Sequence, residues 1–383
     1  MKKIFISLSF LIILSICFIS CKNDLNVLAP GEESVSVYGI LNTNDAVQNI
    51  KINKIFLTTG DVIAAGQDAN QINYGPGELR VSLQRFNSGS TTPTLTTVGN
   101  AIKKEIVLTE TVVTTASGNF NSNQRIWQTT DKLYSNGEYK LIIKIISTGR
   151  EITSQTTAID SVKSYGAMPF IYAAVAPPNH YPVHCGIGNG GYTPPTAGIQ
   201  TQTVAYVNYA TPNITPKIKF KSVVNAKLYS VIMRFHYIDS LVSGGAIRQY
   251  VDYNFASQKS STLLGAENME VSFNSNDFYS NIALEIPKKQ TGSIKNRTAH
   301  YMEYIIYAGD ETLNTFLQVN APSNSIAQDK PFYTNINGGV GVFACKSKSS
   351  LSKELWYEFI DEISNNAVTQ SLLFNKNHTF ICP

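Results

Sequence analysis

Apolar and polar residues alternate along most of this chain, and clusters of Gly, Asn and Ser punctuate the alternation. In SVSVYGIL, Val35, Val37 and Leu41 fall on one face. After Asn42-Thr43-Asn44-Asp45, Ile50, Ile52 and Phe56 face one way and Asn49, Lys51 and Asn53 the other. A period of two around a polar turn predicts an antiparallel hairpin with one wet face. The same period runs through ELRVSLQRF (Leu79, Val81, Leu83), KKEIVLTETVV and GEYKLIIKII (Tyr139, Leu141, Ile143, Ile145). No long helical pattern separates these runs, which predicts an immunoglobulin- or transthyretin-like β-sandwich over residues 34–160.

Periodicity collapses over residues 164–202, a stretch rich in Gly, Pro, Tyr and Ala. Structureless segments of that length are uncommon inside a compact domain. The boundary is therefore placed before it, with a second β-rich domain over residues 161–383. There KIKFK turns Ile218 and Phe220 inward. In LYSVIMRFHYI, Tyr229, Val231, Met233, Phe235 and Tyr237 line one face, leaving Arg234 and His236 on the other. Helical spacing appears twice. Phe278, Ile282 and Ile286 precede Pro287, which is expected to stop that helix; Leu351, Leu355, Trp356, Phe359, Ile360 and Ile363 form one stripe. The fold class predicted is mainly β, with a few peripheral helices.

The first 20 residues follow another rule. Lys2 and Lys3 precede an apolar run from Ile4 to Ile19, the arrangement of a secretory signal. Phe18-Ile19-Ser20-Cys21 resembles a bacterial lipobox, with Phe where Leu is commonest. Small Ser20 suits cleavage before Cys21, whereas bulky Ile16 disfavours Cys17. The expectation is a signal peptide over residues 1–20, a lipid-modified (palmitate-bearing) Cys21 and a tether over residues 21–33. Each buried methylene contributes about 0.8 kcal/mol, so two or three acyl chains hold a protein on a bilayer where one does not. The alternative is an uncleaved apolar anchor. Lys22, rather than Asp, after the cysteine argues against inner-membrane retention and leaves the face of the outer membrane open.

Composition narrows the function classes. Of 383 residues, 43% are hydrophobic and 15% charged, enough for a sizeable core. The net charge of +4 falls to about +2 once Lys2 and Lys3 leave, and no basic stripe argues for nucleic acid. Three further cysteines, Cys185, Cys345 and Cys382, allow one disulfide and one free thiol in an oxidising compartment. A Cys345–Cys382 bridge would pin the C-terminal tail to the GGVGVF strand.

Three stretches, SVYGILNTNDAVQNIKINKIFL, AKLYSVIMRFHY and LNTFLQVNAPSNSIAQDKPFYTNINGGVGVF, resemble in order a family of Bacteroidota lipoproteins of unknown function. The resemblance implies a β-rich outer-membrane or periplasmic lipoprotein, accessory to a TonB-dependent transporter. It supplies no catalytic residue.

Candidate chemistry is sparse. His180, His184 and Cys185 could offer three metal ligands, but Pro182 and Pro177-Pro178 break the helix that would align them, and no fourth ligand is near; the stretch reads as a structured loop. Gly186, Gly188, Gly190 and Gly191 lack the strand and helix of a phosphate loop. There is no nucleophile elbow, HExxH or Walker sequence. No metal, cofactor or catalytic residue is assigned. Arg234 and His236 read as a solvated pair or as a recognition surface. Trp127, Tyr301, Tyr304 and Trp356 read as core. The expected function is a lipid-anchored outer-membrane accessory or binding lipoprotein. Alternatives are a surface glycan hydrolase, whose paired carboxylates come from distant strands, or a structural, adhesive surface lipoprotein.

Overall fold

The computed structural model of the chain describes residues 34–55, 61–98, 101–114, 118, 121–135, 137–162, 217–321, 332–355 and 357–375. It is mainly β, with several sheets and few helices. In the N-terminal half, β1 (Ser34–Asn42) and β2 (Gln48–Ile55) form the expected hairpin, and Val35, Val37, Leu41, Ile50 and Ile52 are all buried. Two short helices follow, α1 (Val62–Gln67) and α2 (Ala69–Ile72), which the alternation did not announce. Then come β3 (Leu79–Phe86), the small hairpin β4 (Thr96–Val98) and β5 (Ala101–Lys103), β6 (Ile106–Val107), β7 (Thr109–Thr114), β8 (Asn123–Thr129), β9 (Glu138–Ile145) and β10 (Glu151–Thr157). KKEIVLTETVV is thus two strands: it pairs with β3 as β6, crosses at Leu108, and joins β8 as β7.

The second half contains β11 (Lys217–Lys221), β12 (Ala226–Leu241), β13 (Ala246–Asn254), β14 (Gln258–Lys259) and β15 (Asn268–Ser272). Next are α3 (Ser275–Lys289), β16 (Ile294–Asp310), α4 (Glu311–Asn320), β17 (Val340–Glu354), α5 (Tyr357–Asn365) and a 3-10 turn (Gln370–Leu372). Asn274 caps α3 by accepting from the Asn276 N–H. Phe278, Ile282 and Ile286 face the core as expected, but the helix runs on to Lys289: a proline in the last turn forfeits one backbone bond without ending the helix.

The C-terminal stripe is corrected more substantially. Leu351 lies in β17, not in a helix, because Lys346, Lys348, Ser350 and Ser352 alternate against Cys345, Ser347, Ser349 and Leu351 along a strand paired with β16. Only from Tyr357 does the helical stripe take over, burying Phe359, Ile360 and Ile363. Trp356 lies outside the described residues.

Two sheets dominate. The nine-stranded one runs β13-β12-β16-β17-β1-β2-β8-β7, with β14 beside β12; the four-stranded one runs β10-β9-β3-β6. Their buried faces, together with α3 and α5, contribute to one contiguous core. Its C-terminal part is aromatic, with Phe235 ringed by Phe278, Phe359 and Phe374 at centroid distances of 5.9–6.4 Å.

The boundary placed at 160/161 does not interrupt the larger sheet, because β1 pairs in parallel with β17, from Ser36↔Val340 to Asn42↔Lys346. The approach is close. A Cβ on Gly341 would stand 1.9 Å from the Val37 carbonyl oxygen, and one on Gly339 2.7 Å from that of Val35. Gly341 also has φ +116°, a region closed to side-chain-bearing residues.

Asp310 reinforces the junction. This buried carboxylate caps α4 through the Leu313 N–H, accepts from the Cys345 N–H at 2.9 Å, and takes a hydrogen bond from the Thr156 hydroxyl of β10. A second buried anchor is Arg297, whose guanidinium meets Asp239 at 2.8 Å, the Leu372 carbonyl at 2.7 Å and Gln290 at 3.0 Å, fastening the tail to β16.

Gly341→Ala is expected to lower unfolding stability by about 3 kcal/mol or more, strain and a backbone clash acting together. In urea this reads as a lower midpoint at unchanged slope; a wild-type midpoint would refute the close approach.

Candidate polar face on β12, β13 and β16

The alternation of β12 divides its side chains cleanly. Tyr229, Val231, Met233, Phe235 and Tyr237 are fully buried, while Arg234 and His236 project from the opposite face, half-buried. Their neighbours are fixed by register. Arg234 lies between Asp252 on β13 and Glu303 on β16; His236 lies between Tyr250 and Tyr301. Two rows result, one charged and one aromatic, stacked one step apart along the strands.

Arg234 grips Asp252 with two bonds, Nε to Oδ1 at 2.7 Å and Nη2 to Oδ2 at 3.0 Å. Such a forked pair fixes orientation as well as charge. The same guanidinium lies 4.0 Å from the Tyr250 ring centroid, and Lys289 Nζ, at the end of α3, lies 4.4 Å from it. Cation–π contacts of this kind contribute about 0.5–1 kcal/mol each at exposed sites. Lys289 Nζ also donates to the Tyr250 carbonyl at 2.8 Å.

His236 stacks on Tyr301 with centroids 4.1 Å apart and planes at 15°. Its Nε2 stands 3.1 Å from Glu303 Oε2, and since a carboxylate only accepts, that nitrogen carries the hydrogen. Burial pushes the imidazole below its ordinary value, and the pull of Glu303 only partly restores it. His236 is therefore neutral at pH 7. Burial, seconded by Glu303, likewise raises the Tyr301 phenol.

Both carboxylates on this face are already engaged across the strands, and His236 spends its Nε2 on Glu303. The arrangement is rigid and suited to recognition. What it offers outward is Tyr250, 40% exposed, with exposed Arg248 two positions along the same strand and Lys289 beside it. Among the described residues no cluster of three or more His, Cys, Asp or Glu could hold a metal ion, and no helix is long and apolar enough to cross a membrane.

The structure places the other candidates unevenly. Trp127 and Tyr304 are buried in the core, whereas Tyr301, expected there, lies on the polar face. Alternation causes this: Tyr301 and Tyr304 stand three positions apart in an unshifted stretch of β16 and so fall on opposite faces, while the bulge at His300, between the pairs His236↔Tyr301 and Tyr237↔Ala299, changes the phase only of the residues before it. Cys345 is a fully buried thiol whose burial raises it to about 12. Cys382, Cys21, Cys185, His180 and His184 lie outside the described residues. Tyr250, Asp252, Glu303 and Lys289 were not singled out from sequence. The signal was present in RQYVDY, where Arg248, Tyr250 and Asp252 recur every second residue.

No protein-family model matches the chain, and no curated protein matches it.

In NMR titration His236 is expected to lose its proton below the ordinary 6.5. Because the folded value is depressed, the unfolded chain binds more protons as pH falls below 6.5, and this residue then opposes folding. Glu303→Gln should depress the value further; a titration above 6.5 would contradict the burial argument.

Proposed function

We propose that the chain is a lipid-anchored binding lipoprotein of the outer membrane, held through Cys21 and engaging its partner through the face built on Arg234, His236, Tyr250 and Tyr301. The anchor rests on the signal-like leader and on Ser20 before Cys21. The observation that carries the binding reading is the pair of in-register rows. Side-chain freedom on three strands has been removed by ion pairing and stacking before any partner arrives, so little ordering entropy is lost on contact. Tyr and Arg are also the side chains that most often dominate binding energy at protein interfaces. A TonB-dependent transporter in the same membrane is the partner this reading favours, in keeping with the resemblance.

A hydrolase needs a free carboxylate pair about 5–10 Å apart. On this face Asp252 is held by Arg234 and Glu303 by His236, so the face offers no such pair.

The test is crosslinking of the full chain in its native membranes, followed by capture. The wild type should fractionate with the outer membrane and carry a partner. Cys21→Ser should release the protein to the soluble fraction. Tyr250→Ala with Arg248→Ala should keep it membrane-bound and reduce partner capture about tenfold, the equivalent of 1.4 kcal/mol. Wild-type protein in the soluble fraction would remove the anchor, and undiminished capture by the double variant would remove the face.

A further inference from the structure

The two larger sheets end on four edge strands, β13 and β7 in one, β10 and β6 in the other. An edge strand presents backbone N–H and C=O groups that can template another chain, and natural proteins obstruct it with charges, covers or brevity. Three of these edges are obstructed. On β13, Lys289 Nζ occupies the Tyr250 carbonyl. On β10, Thr153 exchanges two backbone bonds with Asn337, while Ser154 and Gln155 are bonded to Asn335. β6 is only two residues long.

β7 differs from all three. It reads Thr-Glu-Thr-Val-Val-Thr, with five β-branched residues, no Lys and no Pro. Its one charge, Glu110, is turned to Arg125 and the Gly77 N–H. All six residues pair with β8 on one side, and among the described residues no strand pairs with the other. Val112 in its middle is 52% exposed.

We propose that β7 is an interface strand that pairs antiparallel with β7 of a second copy of this chain. A row of backbone donors and acceptors is complemented along its length only by another extended strand. The strand is also its own complement. A two-fold axis through Val112 sets Val112 against its counterpart, Thr111 against Val113 of the second copy, and Glu110 against Thr114 of the second copy. No like charges meet, and β-branched residues face one another, the favoured cross-strand combination. An interface confined to one short strand on each side is small, so the dimer forms reversibly and at high local concentration.

Residues paired across a two-fold axis lie within disulfide reach. Val112→Cys in the full chain, oxidised in intact cells, should give a dimer band on a non-reducing gel well above that of Leu95→Cys, another exposed position. In sedimentation of the detergent-solubilised full chain, Val112→Lys should weaken dimerisation at least about tenfold by opposing two ammonium groups. Val112→Thr should leave it unchanged, and the melting temperatures of both variants should match wild type. Equal crosslinking at positions 95 and 112, a wild type that stays monomeric at every concentration, or a Val112→Lys dimer of wild-type strength would each overturn the proposal.

Discussion

Strands from opposite ends of the chain lie side by side in this protein because residue 341 has no side chain. The Val37 carbonyl occupies the space where a Cβ would be, and the positive φ of Gly341 lets the backbone turn into that approach. Everything that joins the two halves follows. Once β1 is seated on β17, the β1–β2–β8–β7 strands and the β16–β12–β13 strands become one sheet, and their buried faces feed one core. The secondary ties, Asp310 to Thr156 and Asn335 to Ser154 and the Gln155 carbonyl of β10, join residues more than a hundred positions apart, and Asn335 also donates to the Phe343 carbonyl of β17.

The same sheet carries the polar face. β16 pairs with β17 on one side and β12 on the other, and its direct register with β12 sets Glu303 and Tyr301 opposite Arg234 and His236. Over the β1–β17 end, α4 covers the outer surface, packing Leu313 and Phe316 on Ile40, Val342 and Ala344. The far end of the same surface carries no described helix, and there the charged and aromatic rows stand open. One sheet therefore supplies a closed end that stabilises and an open end available for recognition.

How much of this could be read beforehand depended on the range of the forces involved. Alternation in β1, β2, β9 and β12 was legible because one face of each is buried, and burial writes a period of two into the sequence. The long β17 was mistaken at Leu351 for helix because its polar residues are Ser and Lys, which tolerate either conformation, and the apolar residues of α5 follow within a few positions. Tyr301 was misplaced because it stands three positions from the buried Tyr304, and a period of two sets residues an odd number apart on opposite faces. The parallel pairing of β1 with β17 left only an indirect trace, the glycines at 339 and 341, since no local preference states which distant strand a glycine must admit. Arg234 and His236 could be placed on an open face from β12 alone. Their partners could not, because Asp252, Tyr250, Glu303 and Tyr301 come together only through register.

Hydrogen exchange of the β1 amides under native conditions tests the central claim most directly. If the β1–β17 pairing holds the halves together, amides of Val37, Gly39 and Leu41 should exchange only with global unfolding, with the same free energy and denaturant dependence as those of β16 in the other half. Exchange of β1 through a separate, lower-energy opening, with β16 still protected, would contradict it.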